Sequence, residues 1–151
     1  MNEPRARARL AALQALYQME IGGADPDDVI DEFIVHRLAE GGPTDQQFFT
    51  DIIRGVIKHQ VEIDRALAGA LAEGWKLERI DSILRALLRS ASYELIGRAD
   101  VPAKVVIDEY VELARDFFDG DEPKFVNAVL DRLAREKRAA EFDSHPSTRS
   151  G

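Results

Sequence analysis

The sequence predicts an all-α protein, a single-domain helical bundle of six to seven helices. Apolar residues recur at three- and four-residue steps along nearly the whole chain. No alternating run bounded by turn residues reads as a strand. The breaks fall at glycine, proline and aspartate clusters that have a mechanical reason to stop or start a helix. With 151 residues, 45% hydrophobic and 32% charged, the chain can bury roughly 70% of its unfolded surface in one core.

In the first segment Leu10, Leu13, Leu16 and Tyr17 set the period, Pro4 suits a first turn where its missing N–H is no loss, and Gly22-Gly23 ends the helix. The second opens with Asp25 as cap and Pro26 behind it, and Val29, Ile30, Phe33, Ile34 and Leu38 form its apolar face. A long third helix is expected from the capping-box spacing of Thr44 and Gln47, through Phe48, Ile52, Ile53, Val56 and Ile57, to Ile63 and Leu67. After the Gly74-Trp75 break, Ile80, Ile83, Leu84, Leu87, Leu88, Ala91 and Leu95 make a stripe so broad that it predicts a central helix, with Gly97 as a left-handed stop. A fifth begins at Pro102 and carries Val106, Tyr110, Leu113, Ala114 and Phe117. The last is capped by Asp121 and buries Val126, Val129, Leu130 and Leu133. These elements place the domain at 1–138. The polar residues 139–151 read as a disordered C-terminal tail, and the Gly74-Trp75 break as the meeting point of two helix subgroups.

Composition excludes several functions. Twenty Lys and Arg stand against 28 Asp and Glu, a net charge of −8, so any contact with nucleic acid must be a local patch. No cysteine is present, which removes disulfides, thiolate catalysis and cysteine metal sites. His36, His59 and His145 are scattered, and no Gly-rich phosphate loop, nucleophile elbow or HExxH helix occurs. No catalytic residue, metal or cofactor is therefore expected. Carboxylate pairs such as Asp27-Asp28 and Glu78-Asp81 sit where helix starts and solvated faces want them. No apolar run approaches the ~20 residues of a membrane span, and a cytoplasmic location is expected.

Two features stand out. Arg5, Arg7 and Arg9 crowd the start of the first helix, where cations oppose the macrodipole. At 100° per residue Arg5 and Arg9 fall about 40° apart and Arg7 across the apolar stripe, so the three flank the buried face. They are either solubilising terminal charges or a phosphate clamp, because guanidinium groups fork onto phosphate and stack on bases. Phe125, in KFVNAVLD, is rotated about 100° from Val126, at the edge of the last buried stripe. Either it packs against a neighbouring helix, or it is an exposed ring for stacking a base, with Lys124 for the backbone and Asn127 for a base edge.

The phrases RARARLAALQALY, SYEL, DVPAKVVIDEYVELARDF and KFVNAVLDRLA, in this order from Met1 to about Arg138, resemble the NusB family of bacterial transcription antitermination factors. The resemblance implies two three-helix subgroups packed across each other. It implies an RNA-binding factor that binds the boxA element of nascent ribosomal RNA together with NusE, a ribosomal protein, and promotes processive transcription of rRNA operons. Arg5, Arg7, Arg9, Tyr17, Lys124, Phe125 and Asn127 are the residues it assigns to RNA, on one surface made by the first and last helices lying side by side, with Asp121 at a position that modulates assembly. The implied partners are boxA-containing RNA, NusE and the RNA polymerase antitermination complex, with no membrane, and a homodimer through the RNA face is allowed. Ala6 stands where some members carry another arginine and Leu10 where a glutamate is frequent. The segment AEGWKLERIDS, near the region expected to face NusE, also departs from better-known members. A related family places such a domain before an RNA cytosine methyltransferase, but no methyl-donor-binding region is expected here. The competing function is a helical protein-protein adapter without RNA binding, its arginines pairing with an acidic partner.

Overall fold

The computed structural model describes residues 3–38 and 40–143; the remainder of the expected tail, 144–151, lies outside them together with His145. Eight α-helices follow one another among the described residues: α1 (Glu3–Gly22), α2 (Pro26–Glu32), α3 (Gln46–Lys58), α4 (Gln60–Ala70), α5 (Ser82–Gly97), α6 (Ala103–Phe117), α7 (Glu122–Lys137) and α8 (Ala139–Asp143). A π turn over Phe33–Arg37 extends α2, and a 3-10 turn over Leu77–Arg79 leads into α5. None of the helices is long and apolar enough to cross a membrane.

The broad stripe of α5 makes it the axis of the bundle: it packs against α1, α3, α4, α6 and α7. A helix buried on nearly every side must have its ends satisfied by protein groups rather than water. At the N-terminus the Asp81 carboxylate accepts the N–H groups of Ile83 and Leu84 at 2.8 and 3.2 Å. At the other end the buried guanidinium of Arg138 donates to the carbonyls of Glu94, Leu95 and Arg98 at 3.1, 2.7 and 2.7 Å, placing a cation where the dipole favours one. Helices α1 to α3 form one group and α5 to α7 the other, and α4 is the link, packed on α5 and α7.

The chain crosses between groups at His59, not at Gly74-Trp75. The expected long third helix breaks there, at φ −108° and ψ 20°, without a proline or glycine. It starts after Asp45, whose carboxylate accepts the Phe48 N–H at 3.0 Å, so Asp45 replaces Thr44 as cap. Just before the break Gly55 lets α3 approach α5 so closely that a Cβ would overlap the Tyr93 ring. Tyr93 cannot simply retreat, because its hydroxyl donates to Asp51 at 2.8 Å and its ring stacks on His59 at 6.3 Å. Burial, then the bond to Asp51, pushes its pKa up to about 12.

Three further expectations change. Gly97 has no positive φ; what it supplies is room, since a Cβ there would lie 2.7 Å from the Tyr93 ring. Asp121 occupies the cap position of α7 but makes no side-chain cap bond; its backbone carbonyl accepts the Phe125 N–H at 3.0 Å. Residues 139–143 are helical, and Glu141 accepts the Ala103 N–H at 2.8 Å, giving α6 the cap that Pro102 cannot. That backbone bond, aided by Arg138, lowers the Glu141 pKa.

On α1 the buried face is wider than its leucines imply. Ala8, Ala11, Ala12 and Ala15 are buried with Leu13 and Leu16, since α1 is wedged between α3 and α5, and small side chains allow close approach. Arg9 lies on that face, 3% exposed. Its Nε and Nη2 donate to the two oxygens of Glu94 on α5 at 2.8 and 3.0 Å, and the Tyr110 hydroxyl from α6 donates to the same carboxylate at 2.6 Å. Glu109 adds a carboxylate 3.6 Å from Nη1. Burial works to lower the Arg9 pKa, but the bonds and charge of Glu94 outweigh it and the pKa rises. Burial and the charge of Glu94 raise that of Tyr110.

Two outcomes test this packing. Gly55→Ala is expected to lower stability by about 1–3 kcal/mol through overpacking, read from the urea midpoint. Arg9→Met leaves the Glu94 charge buried without its cation and is expected to remove about 3–5 kcal/mol, while Arg7→Ala stays within about 0.5 kcal/mol.

Candidate nucleic-acid interface

The three N-terminal arginines point to three environments. Arg5 is half-buried, its guanidinium 4.5 Å over the Phe48 ring, with Asp45 at 3.7 Å and Asp100 at 3.9 Å. Arg7 reaches the carbonyl of Pro43 at 3.2 Å and Glu3 at 3.9 Å, partly open to solvent. Arg9 is interior, and this corrects the expectation of a three-arginine clamp: its fork is spent on Glu94. Arg98 completes the group around Phe48, 4.9 Å from the ring, and donates to Asp100 at 3.0 and 2.9 Å. Those bonds, with Arg5 as a minor contributor, hold the Asp100 pKa down to about 2. The rim is therefore cationic but already paired, so phosphate arriving there competes with carboxylates.

Lys124, Phe125 and Asn127 occupy the first turns of α7. Lys124 and Asn127 are exposed and line a cleft of about 890 Å³ against Glu112, Arg115 and Phe118. Phe125 is half-buried, packed against the core on one side and against the Trp75 ring at 5.1 Å on the other. The edge-packing and exposed-ring readings thus each describe part of it. Asp121 is exposed on the same rim.

The two ends of the chain do not lie side by side as expected. Helix α1 packs on α3 and α5, and α7 packs on α4, α5 and α6. Arg5 meets Asp100 beyond the C-terminal end of α5, whereas Phe125 shares a cleft with Ile80 and Asp81 at the N-terminal end. Sixteen residues of α5 at 1.5 Å each put these positions roughly 20 Å or more apart. Between them runs the outer face of α6, with Asp108, Glu112 and Asp116 exposed.

Tyr17 belongs with neither arginine. It is about 18 Å along α1 from Arg5 by helical rise. With Leu13, Ile21, Ile83 and Phe117 it lines an apolar groove of about 420 Å³. Tyr17, Ile21 and Phe117 are 36%, 62% and 36% exposed, a contiguous patch of the kind that marks an interaction surface. Sequence reasoning missed Ile21, Trp75 and Phe117 in this respect. Their signal was positional: Ile21 and Phe117 fall at helix ends and Trp75 in the loop between α4 and α5, where periodicity carries no information.

A model of the NusB family matches residues 6–135. The transcription antitermination protein NusB of Caulobacter vibrioides is 51% identical over 142 residues, covering 90% of this chain and 95% of the relative. That of Nitrobacter hamburgensis is 53% identical over 144 residues, covering 91% and 90%. Among solved structures, NusB of T. maritima superposes with a TM-score of 0.80 at 33% identity, covering 95% and 99%. A chain from a complex of NusB and NusE with double-stranded RNA superposes with a TM-score of 0.78 at 24% identity, covering 90% and 99%, and shares the fold. With a family match over 130 residues and relatives at half identity, this chain belongs to the NusB family of transcription antitermination proteins.

Proposed function

We propose that this protein binds the boxA element of nascent ribosomal RNA together with NusE, within the RNA polymerase antitermination complex, and so promotes processive transcription of rRNA operons. The single observation that carries the RNA reading, beside the family, is the start of α7. There the exposed ammonium of Lys124 stands between two clefts, one shared with the exposed amide of Asn127 and the other with the half-open ring of Phe125, the groups that unpaired RNA needs for phosphate, base edge and base face. Asp121 on that rim opposes phosphate and tunes the assembly. Arg5 and Arg7 form a second contact point, and Arg9 positions α1 without touching RNA.

The apolar groove of Tyr17, Ile21, Ile83 and Phe117 is the docking surface for NusE. Support comes from its exposed apolar area and from its position next to the 72–82 segment that the resemblance sets near NusE. In a family member solved with both, NusE and RNA are bound by the same assembly. A second protein alongside extends the contact surface and compensates for a net charge of −8. The same rim and groove are the surfaces a second copy of this chain would compete for.

In a fluorescence anisotropy titration with single-stranded boxA RNA, Lys124→Ala is expected to weaken binding and flatten the salt slope by about 0.7, and Arg5→Ala/Arg7→Ala, which removes two cations, to flatten it independently by up to about 1.4. Wild-type protein that binds NusE yet shows no RNA preference would establish the protein-only adapter instead. Phe117→Asp is expected to abolish co-purification with NusE while boxA affinity measured without NusE is unchanged.

A further inference from the structure

Trp75 is the single tryptophan of the chain, and the fold keeps it outside. Gly74, at φ +93°, turns the link between α4 and α5, and the Trp75 N–H then donates to Ala72 at 3.1 Å. This holds the indole over α7, where it remains 55% exposed. A buried tryptophan would contribute to the core through its large apolar surface; this one leaves more than half of that surface in water.

The underside of the indole rests on Phe125, with ring centroids 5.1 Å apart and planes 40° apart. The rings already sit at ordinary aromatic spacing, so a third ring adds on the outer side of the indole rather than between them. The surrounding cleft, about 830 Å³, is lined by Arg79 and Lys124 as its cations. Three carboxylates also line it. Asp81, though exposed, is engaged by the N–H groups of Ile83 and Leu84, Glu122 is half-buried and turns Oε1 into the protein, and Asp121 is exposed and makes no side-chain cap bond. Two cations flanking an open indole backed by a second ring fit one ligand: an unpaired nucleotide whose base stacks while its phosphates meet Arg79 and Lys124.

We propose that Trp75, backed by Phe125 and flanked by Arg79 and Lys124, is the base-stacking platform of this protein. The proposal rests on the RNA reading above and adds the residue that holds the base. Phe125 then acts chiefly by fixing the indole's orientation, which explains why it is only half-open.

The lone tryptophan reports on itself. Titrating wild-type protein with single-stranded boxA RNA is expected to quench Trp emission by a third or more, with the same midpoint as anisotropy, while an RNA duplex of equal length leaves emission unchanged. Trp75→Ala is expected to weaken RNA binding about tenfold, and Trp75→Phe to recover most of the loss, with thermal unfolding of both variants near wild type. RNA binding that leaves Trp emission unmoved, or wild-type affinity in Trp75→Ala, overturns the platform while the RNA reading stands. Equal quenching by duplex also overturns it, as does quenching by NusE in place of RNA. Wild-type protein that fails to bind the RNA at all removes both. Should Trp75→Ala unfold, the quenching of unmodified protein decides alone.

Discussion

The buried contact of Arg9 with Glu94, joined by Tyr110, is the constraint on which the arrangement depends. It ties α1, α5 and α6 at one point, and each partner needs the others: a charge inside a core is tolerated only when its hydrogen bonds are nearly all supplied. Glu94 receives two bonds from the guanidinium and one from the phenol. An apolar substitute would pack at similar volume but would accept other rotations of α1 about its axis. The forked geometry accepts one, and so fixes the register of α1 along α5. From that register follows the pairing of Glu20 with Arg85 and Arg89 at the opposite end of α5, the meeting of Arg5 with Asp100, and the opening of the Tyr17 groove beside Ile83.

Much of the fold was legible in the sequence. Helical periodicity located six elements, and Asp25 and Asp81 mark helix starts because a short carboxylate at a cap reaches only local N–H groups. The break at His59 was not legible, since its cause is tertiary: α4 must leave α3 to pack on α5 and α7, and no local breaker announces this. The short helix 139–143 was hidden for the same reason, its order coming from Glu141 on Ala103 and from the Arg135 guanidinium 4.7 Å over the Phe142 ring. Arg9 was legible and misread. It lies four residues before Leu13 and seven before Leu16, directly on the apolar stripe, and Glu94 lies inside the most apolar helix of the chain. A lone cation and a lone anion on two facing stripes are a signature of a buried pair that periodicity alone passes over.

The candidate site was legible as residue types but not as a surface. Lys124 and Asn127 are exposed as their positions on α7 imply, and the half-burial of Phe125 depends on Trp75, fifty positions away in the chain. The expectation that both chain ends form one platform treated resemblance in order as proximity in space. Helix α5, inserted between α1 and α7, sends their starting turns to opposite ends of the bundle.

That separation has a physical consequence for an acidic protein. The outer face of α6 between the two ends carries Asp108, Glu112 and Asp116 with only Lys104 and Arg115 to offset them, and Lys104 and Arg115 are themselves paired with Asp108 and Glu112. A phosphate backbone would gain nothing there, so on the proposed RNA reading contacts would concentrate at the ends. At the α1 end the cations must first exchange Asp45 and Asp100 for phosphate, a trade of one anion for another with small net gain. At the α7 end, on the proposed reading, the gain would come from a ring surface that water solvates poorly, a contact insensitive to salt, although Asp81 and Asp121 are exposed in the same cleft. On the proposed RNA reading, affinity would therefore reside mainly at the Trp75 and Lys124 end, with the arginine rim contributing orientation, and a partner protein docked as proposed in the Tyr17 groove would stand at that same end, where it could cover the strand.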